Sequence, residues 1–237
     1  MKIALIGYGK MGKAIEEIAL AKGHEIVLRV GRDSIDNLEE NIRKADVAIE
    51  FTGPDSAYDN ILRCLQAGVP VVAGSTGWLE KYEELKQFCL AEGKTFLYAS
   101  NFSIGVNIFF EVNKRLAELM APHPDYDVSL TEIHHTQKKD APSGTAITLA
   151  EQILERIPRK KGWVNHISDN FDNLSILSER IDPAPGTHNI TYRSTVDTIE
   201  ITHTAHNRQG FASGAVLAAE FIHNKKGVFS MKDVLGF

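Results

Sequence analysis

The stretch EIHHTQKKDAPSGT, residues 132–145, sets two histidines, two lysines and an aspartate ahead of a proline and a small-residue turn. Histidine can pass a proton near neutral pH, and lysine offers a fixed cation. A helix opening at SGT would present free backbone N–H groups to an anion. This set suits an anionic substrate that takes up a proton as it reacts. It equally suits a solvated loop with an acceptable helix cap. The residues alone leave both readings open, and the rest of the chain has to choose.

Within the cluster the roles separate by geometry. Residues 127–135 (DVSLTEIHH) alternate like a strand with one solvated face, so His134 and His135 project to opposite sides and do different jobs. Lys138 and Lys139 follow closely enough for one of them to sit beside a histidine. Ser143, Gly144 and Thr145 would open a helix over 146–157, offering N–H groups and two hydroxyls as a cradle for a carboxylate. On that helix Ile147, Ala150, Leu154 and Ile157 share one side. His188 could reach the same pocket, whereas His203 and His206 read as structural hydrogen-bonding groups. Glu132 and Glu200 show no carboxylate-pair pattern. Metal-ligand spacing is absent from the sequence, so no metal centre is expected.

A second chemical motif lies at the start. IGYGKMG carries Gly7, Gly9 and Gly12 in G-x-G-x-x-G spacing, after a strand (2–7) and at the opening of a helix (11–23). The first glycine permits the tight turn, the second lets a pyrophosphate approach the backbone, and the third lets helix and strand pack closely. The alternative is a glycine turn with no ligand. Its place at the head of a strand–helix series favours a dinucleotide, held by Gly7, Tyr8, Gly9, Lys10, Met11 and Gly12. After the second strand the chain reads RVGRDS, where an arginine, Arg32, could pair with a 2′-phosphate. NADPH is therefore favoured, with NADH also usable. Two further loops follow strands: Gly74, Ser75 and Thr76, and Ala99, Ser100, Asn101 and Phe102. Their matching positions at one sheet edge suit cofactor contacts.

The elements that must position these residues fall into two patterns. Strand-like runs at 24–30, 45–52, 69–76 and 94–100 alternate with helical stretches, which implies parallel βαβ units. From 104 onward the pattern becomes helix, alternating strand, helix, then strand-like segments including a hairpin turning at Asp197–Thr198. A last apolar helix, 212–223, packs back on the first unit. The fold class is thus α/β: an N-terminal Rossmann dinucleotide-binding domain (1–103 plus 211–237) with an inserted α+β substrate and oligomerisation domain (104–210). The inserted sheet is expected to be mixed and mostly antiparallel.

Composition narrows the partners. A net charge of −5 over 237 residues argues against a nucleic acid or an anionic membrane surface. No apolar run is long enough to span a bilayer, and the apolar start is too short for a signal sequence, so a cytoplasmic protein is expected. Cys64 and Cys89 read as reduced thiols.

Several of these segments together resemble one family along the whole chain. GYGKMG, GSTG, ASNFSIGVN, EIHHTQKKDAPSGTA and IEITHTAHNRQGFASGA are similar to motifs of the 4-hydroxy-tetrahydrodipicolinate reductase (dihydrodipicolinate reductase) family, of the diaminopimelate route to lysine. The resemblance implies NAD(P)H-dependent reduction of a cyclic dicarboxylate. It implies His134 as proton donor or acceptor, His135 as a substrate contact and Lys138 as the lysine that protonates or holds the substrate. It also implies Gly144 and Thr145 as carboxylate ligands, and a homotetramer built through the second-domain sheets. Where the family often has basic residues between the histidine pair and the lysine, this chain has Thr136 and Gln137.

Overall fold

Continuous apolar runs dictate the first sheet. In a computed structural model, which describes residues 1–31, 41–207 and 209–237, β1 (Lys2–Ile6), β3 (Val47–Glu50) and β4 (Val71–Ala73) are buried along almost their whole length. Strands covered on both faces read this way, because helices lie above and below. Between them come α1 (Lys10–Ala21), β2 (Glu25–Val30) and α2 (Pro54–Gln66), followed by α3 (Tyr82–Ala91) and β5 (Thr95–Tyr98). Pro54 and Asp55 open α2 where a fixed φ and a negative charge favour a helix start. Gly23, at φ +80°, ends α1 as its spacing predicts. Arg32 lies outside the described residues, as does much of the polar stretch expected between β2 and β3.

The middle of the chain supplies α4 (Ile104–Met120), β6 (Asp127–His134), α5 (Gly144–Leu154), β7 (Gly162–Val164), β8 (Asn173–Arg180), β9 (Gly186–Arg193) and β10 (Thr198–Ala205). The chain then closes with α6 (Gln209–Ile222), β11 (Gly227–Phe229) and α7 (Met231–Leu235). These last two elements were not anticipated: three strand residues carry too little pattern to register. The contacts group into two units, Met1–Ile104 with Gln209–Phe237, and Gly105–Arg208.

In the first unit the strand order is β11-β5-β4-β3-β1-β2, with every neighbouring pair parallel. Chain order reverses direction between β1 and β3, and ligands of such sheets lie outside the C-terminal strand ends at that switch point. The core divides across the sheet. Ile61, Leu65, Leu85 and Phe96 pack on one side, and Ile15, Leu97, Val216 and Ile222 on the other.

In the second unit the order is β10-β9-β6-β8-β7. β9 pairs antiparallel with β10 and β6, whereas β8 pairs parallel with β6 and β7. The sheet is mixed as expected, and its antiparallel ladders are the longer ones. The parallel pairing follows from α5, which returns the chain so that β7 runs in the direction of β6. The hairpin between β9 and β10 is present, yet its turn, at Thr195–Val196, sits two residues earlier than read. Thr198 already pairs with Arg193, and the Ser194 N–H donates to the Asp197 carbonyl at 3.0 Å.

Helix α5 starts at Gly144, two residues before the expected start. It turns Ala146, Leu149, Ala150 and Ile153 into a core shared with Phe109 and Met120 of α4 and Leu130, Ile176 and Tyr192 of the sheet. Of the four residues read on one side, Ala150 and Ile157 are buried, whereas Ile147 and Leu154 flank that face and are only half-buried, because Ala146 and Leu149 hold the line nearest the sheet. Truncating Ile153 to alanine would cost about 2–5 kcal/mol.

Candidate active site

The glycine turn fits a pyrophosphate for reasons that differ residue by residue. A Cβ on Gly7 would lie 2.0 Å from the Phe51 carbonyl oxygen, and one on Gly12 would lie 2.4 Å from the carbonyl oxygen of Gly7. Both glycines are demanded by packing, and Gly7 also by its φ of +100°. Gly9 is different: its φ is −92°, and a Cβ there would meet nothing within 4 Å among the described residues. Neither conformation nor packing explains it, which leaves close approach by a ligand. Gly9 is also the N-cap of α1 and brings no side-chain cap, so the helix's first N–H groups face outward for an anion.

A cavity of about 860 Å³ opens at this point, lined by Gly7, Tyr8, Gly9, Val30, Gly31 and the run Phe51–Ser56. It occupies the switch point between β1 and β3. Lys10 is exposed at the start of α1, and Met11 packs partly into the core. The loop FTGPDS after β3 has no motif spacing and was missed from sequence, although its position after a parallel strand was the available signal.

Gly74, Ser75 and Thr76, and Ala99, Ser100, Asn101 and Phe102, follow β4 and β5 at the same end of the sheet. Much of this set is scaffold. Phe102 is buried and stacks at 5.6 Å on Phe51, and the bare Cα of Gly74 accommodates the Phe51 ring. The Ser75 hydroxyl donates to Glu50 Oε1 at 2.8 Å and accepts from the Thr52 N–H at 2.8 Å. Glu50 is fully buried, and the Thr52 N–H also donates to its Oε1 at 2.7 Å. Burial pushes the Glu50 carboxyl up against the pull of Thr52 and Ser75. Thr76 and Ser100 are exposed, and Asn101 Oδ1 accepts from the Ser103 N–H at 2.9 Å.

In the second unit, alternation along β6 puts Glu132 and His134 on the buried face of the sheet. His135 lies just past the strand end and is half-buried. Glu132 is the hub. Its Oε1 accepts from the Ser143 N–H at 3.0 Å and from Arg180 Nη2 at 3.1 Å. Its Oε2 stands 3.3 Å from His134 Nδ1 and 3.8 Å from His188 Nε2. Burial opposes ionisation of Glu132, but polar contacts from His134 and Ser143 outweigh it and hold the carboxyl well below the usual range.

His188 lies across β9 with its ring 5.1 Å from that of His134, and burial together with His134 pushes it down to about 4. Its reach to this site was anticipated; the pairing of Glu132 with both histidines and Arg180 was not. Glu132, His134 and His188 bring one ligand atom each within 4.8 Å, a grouping that no local spacing announces.

Ser143 accepts from the Ala146 N–H through Oγ at 3.2 Å and meets His188 Nε2 at 3.2 Å. Its buried hydroxyl thus serves the helix cap, and Gly144 and Thr145 are the more open members of the expected cradle. Lys138 Nζ donates to both Asp140 oxygens at 2.9 and 2.8 Å, which lowers the Asp140 carboxyl. His203, expected to be hydrogen-bonded, leaves Nδ1 without a partner among the described residues and packs its ring 5.9 Å from Phe109.

Two family models cover nearly the whole chain: dihydrodipicolinate reductase, N-terminus, over residues 1–102, and dihydrodipicolinate reductase, C-terminus, over 105–235. The chain belongs to the dihydrodipicolinate reductase family. It is accordingly an oxidoreductase that uses NAD(P)H. Among similar proteins, the 4-hydroxy-tetrahydrodipicolinate reductase of Christiangramia forsetii is 52% identical, over 99% of this chain and 98% of the relative. That of Methanosarcina barkeri is 34% identical, over 100% and 99%. The dipicolinate-bound dihydrodipicolinate reductase structure from Paenisporosarcina sp. TG-14 shares the fold, with a TM-score of 0.77 at 24% identity over 97% of each chain.

The cysteines complete the picture of the first unit. Cys64 and Cys89 are free and buried, their thiols pushed up by burial to about 12 and about 11. Among the described residues no helix is long and apolar enough to cross a membrane.

Proposed function

We propose a division of labour by which this chain carries out its family's reaction, the NAD(P)H-dependent reduction of 4-hydroxy-tetrahydrodipicolinate to tetrahydrodipicolinate in lysine biosynthesis via diaminopimelate. NAD(P)H, when bound, supplies the hydride. Gly7, Tyr8, Gly9 and the open N-terminus of α1 hold its pyrophosphate, with Thr52, Gly53 and the 74–76 and 99–102 loops beside it. Residues 1–103 with 211–237 serve as the dinucleotide domain, and 104–210 as the substrate domain. Arg32 would decide how strongly NADPH is preferred over NADH.

The substrate carries two carboxylates. Gly144 and Thr145, at the N-terminus of α5, take one; His135 and Lys138 neutralise charge around the other. A hydride reaches the C4 region, the 4-hydroxyl leaves as water, and one proton is consumed. His134 provides that proton, and Lys138, already bound to a carboxylate in Asp140, holds the dianion. The observation that carries this reading is a buried histidine at a strand end, backed by an ionised carboxylate and followed within ten residues by a helix N-terminus. We assign the molecule to the cytoplasm as a homotetramer formed through the second-unit sheets.

The test is NADPH consumption with substrate freshly made from pyruvate and aspartate semialdehyde. His134→Gln and Lys138→Ala are each expected to lower turnover at least ~10-fold, the scale of general acid–base help. Full activity in both variants overturns the roles, and no turnover by folded, NADPH-binding protein overturns the reaction.

A further inference from the structure

Glu132 is fully buried beside the residues that meet the substrate, yet it has no role in the reaction as drawn so far. Its two oxygens are used differently. Oε1 is saturated by the Ser143 N–H and by Arg180 Nη2, which also donates to the Asp140 carbonyl at 2.5 Å. Oε2 and His134 Nδ1 are both buried, neither has a hydrogen-bond partner among the described residues, and they face each other 3.3 Å apart. An acceptor-only oxygen and a ring nitrogen that can carry a proton complete each other.

We propose that Glu132 is a positioning residue that keeps the proton of His134 on Nδ1, so that Nε2 is the atom that exchanges a proton with the substrate. The assignment rests on His134 as the proton donor of the proposed mechanism. The room around Nε2 is also built. Gly186 faces it, and a Cβ there would lie 3.0 Å from Nε2. A divalent metal at the Glu132, His134 and His188 grouping is the weaker reading, because the Arg180 guanidinium already supplies the positive charge at that carboxylate.

Glu132→Gln separates positioning from scaffolding. The Ser143 N–H and Arg180 both donate to the Oε1 place, so the amide oxygen must sit there and the NH₂ must face His134. That amide donates to Nδ1 and drives the ring proton to Nε2, reversing the tautomer with almost no change of shape. The experiment is ¹⁵N–¹H spectroscopy of the histidine rings in the full-length protein, with His134 assigned by loss of its signals in His134→Gln. The unaltered protein should show His134 protonated at Nδ1 when neutral, and Glu132→Gln should show it protonated at Nε2. Turnover should fall at least ~10-fold, with KM for NADPH and for the dicarboxylate within about threefold of the parent.

An unaltered protein with the neutral ring protonated at Nε2 overturns the proposal even if Glu132→Gln fails to fold. So does a Glu132→Gln protein that retains its turnover, or that loses turnover with the tautomer unchanged. Full activity in His134→Gln would refute the mechanism instead, and the tautomer reading distinguishes the two failures.

Discussion

Gly9→Ala should weaken cofactor binding without harming the fold, and the structure sets both magnitudes. The added Cβ meets nothing within 4 Å among the described residues, and φ of −92° is comfortable for alanine. Removing glycine's freedom from the unfolded chain then stabilises by about 0.4–1 kcal/mol. In a chain of this size that raises Tm by about 1–4 °C. A pyrophosphate oxygen approaching the bare Cα would instead be held off by the methyl group. Loss of one charge-assisted hydrogen bond, about 1.5–3 kcal/mol, weakens NADPH by about 10- to 150-fold. Gly12→Ala is the control. Its Cβ would sit 2.4 Å from a backbone oxygen, so it should lose about 1–3 kcal/mol of stability by overpacking. Fluorescence titration of NADPH and thermal melts of both variants provide the readout. If Gly9→Ala melts as low as Gly12→Ala, or binds NADPH as tightly as the parent, the assignment of Gly9 to the ligand is wrong.

Two further outcomes are expected. Gly186→Ala should push the His134 ring by a few tenths of an ångström, because the Cβ would meet Nε2 at 3.0 Å and Cδ2 at 3.3 Å; steady-state kinetics should show kcat lowered about tenfold with KM for NADPH unchanged. Stability should also fall in acid through His188. Its folded value near 4 lies below the ordinary ~6.5, so between these pH values the unfolded chain binds the extra proton and stability drops as pH falls, by on the order of 3 kcal/mol. Denaturant melts at pH 7 and pH 5 should show a smaller drop for His188→Gln than for the parent.

What could be read from the sequence was what the chain decides locally. The G-x-G-x-x-G turn, the strand ends at 74–76 and 99–102, and the alternation that turns His134 inward all depend on neighbours a few residues apart. The hub around Glu132 does not. Arg180 and His188 arrive from β8 and β9, 48 and 56 residues further on, and only strand register sets them beside the carboxylate. The same holds for the Glu50 bridge to Ser75, made by two neighbouring parallel strands. The side read for α5 was half right: Ala150 and Ile157 are in the core, whereas close packing on the sheet selected Ala146, Leu149 and Ile153 over Ile147 and Leu154. Direction within the second sheet depended on α5 acting as a crossover, which strand-like alternation in β7 and β8 cannot report.

The two units share one device, a buried glutamate at or near a strand's C-terminal end that ties down neighbouring loops, but their surroundings push the two carboxyls in opposite directions. Glu50 has neutral partners, Thr52 and Ser75, and burial pushes its carboxyl up. Glu132 has the Arg180 guanidinium against it and is held down. Replacing each by glutamine therefore asks a different question of each site. At Glu50 the amide oxygen can still accept from the Thr52 N–H and the Ser75 hydroxyl, and no guanidinium loses its counter-charge, so KM for NADPH should change by less than about threefold. At Glu132 the same change removes the charge that balances Arg180 and puts a donor where His134 needs an acceptor, so turnover should fall while NADPH binding holds. Parallel kinetics of Glu50→Gln and Glu132→Gln decide it. Equal losses of turnover in the two variants would mean that the glutamates are interchangeable loop anchors, and that the guanidinium beside Glu132 does not distinguish the two sites.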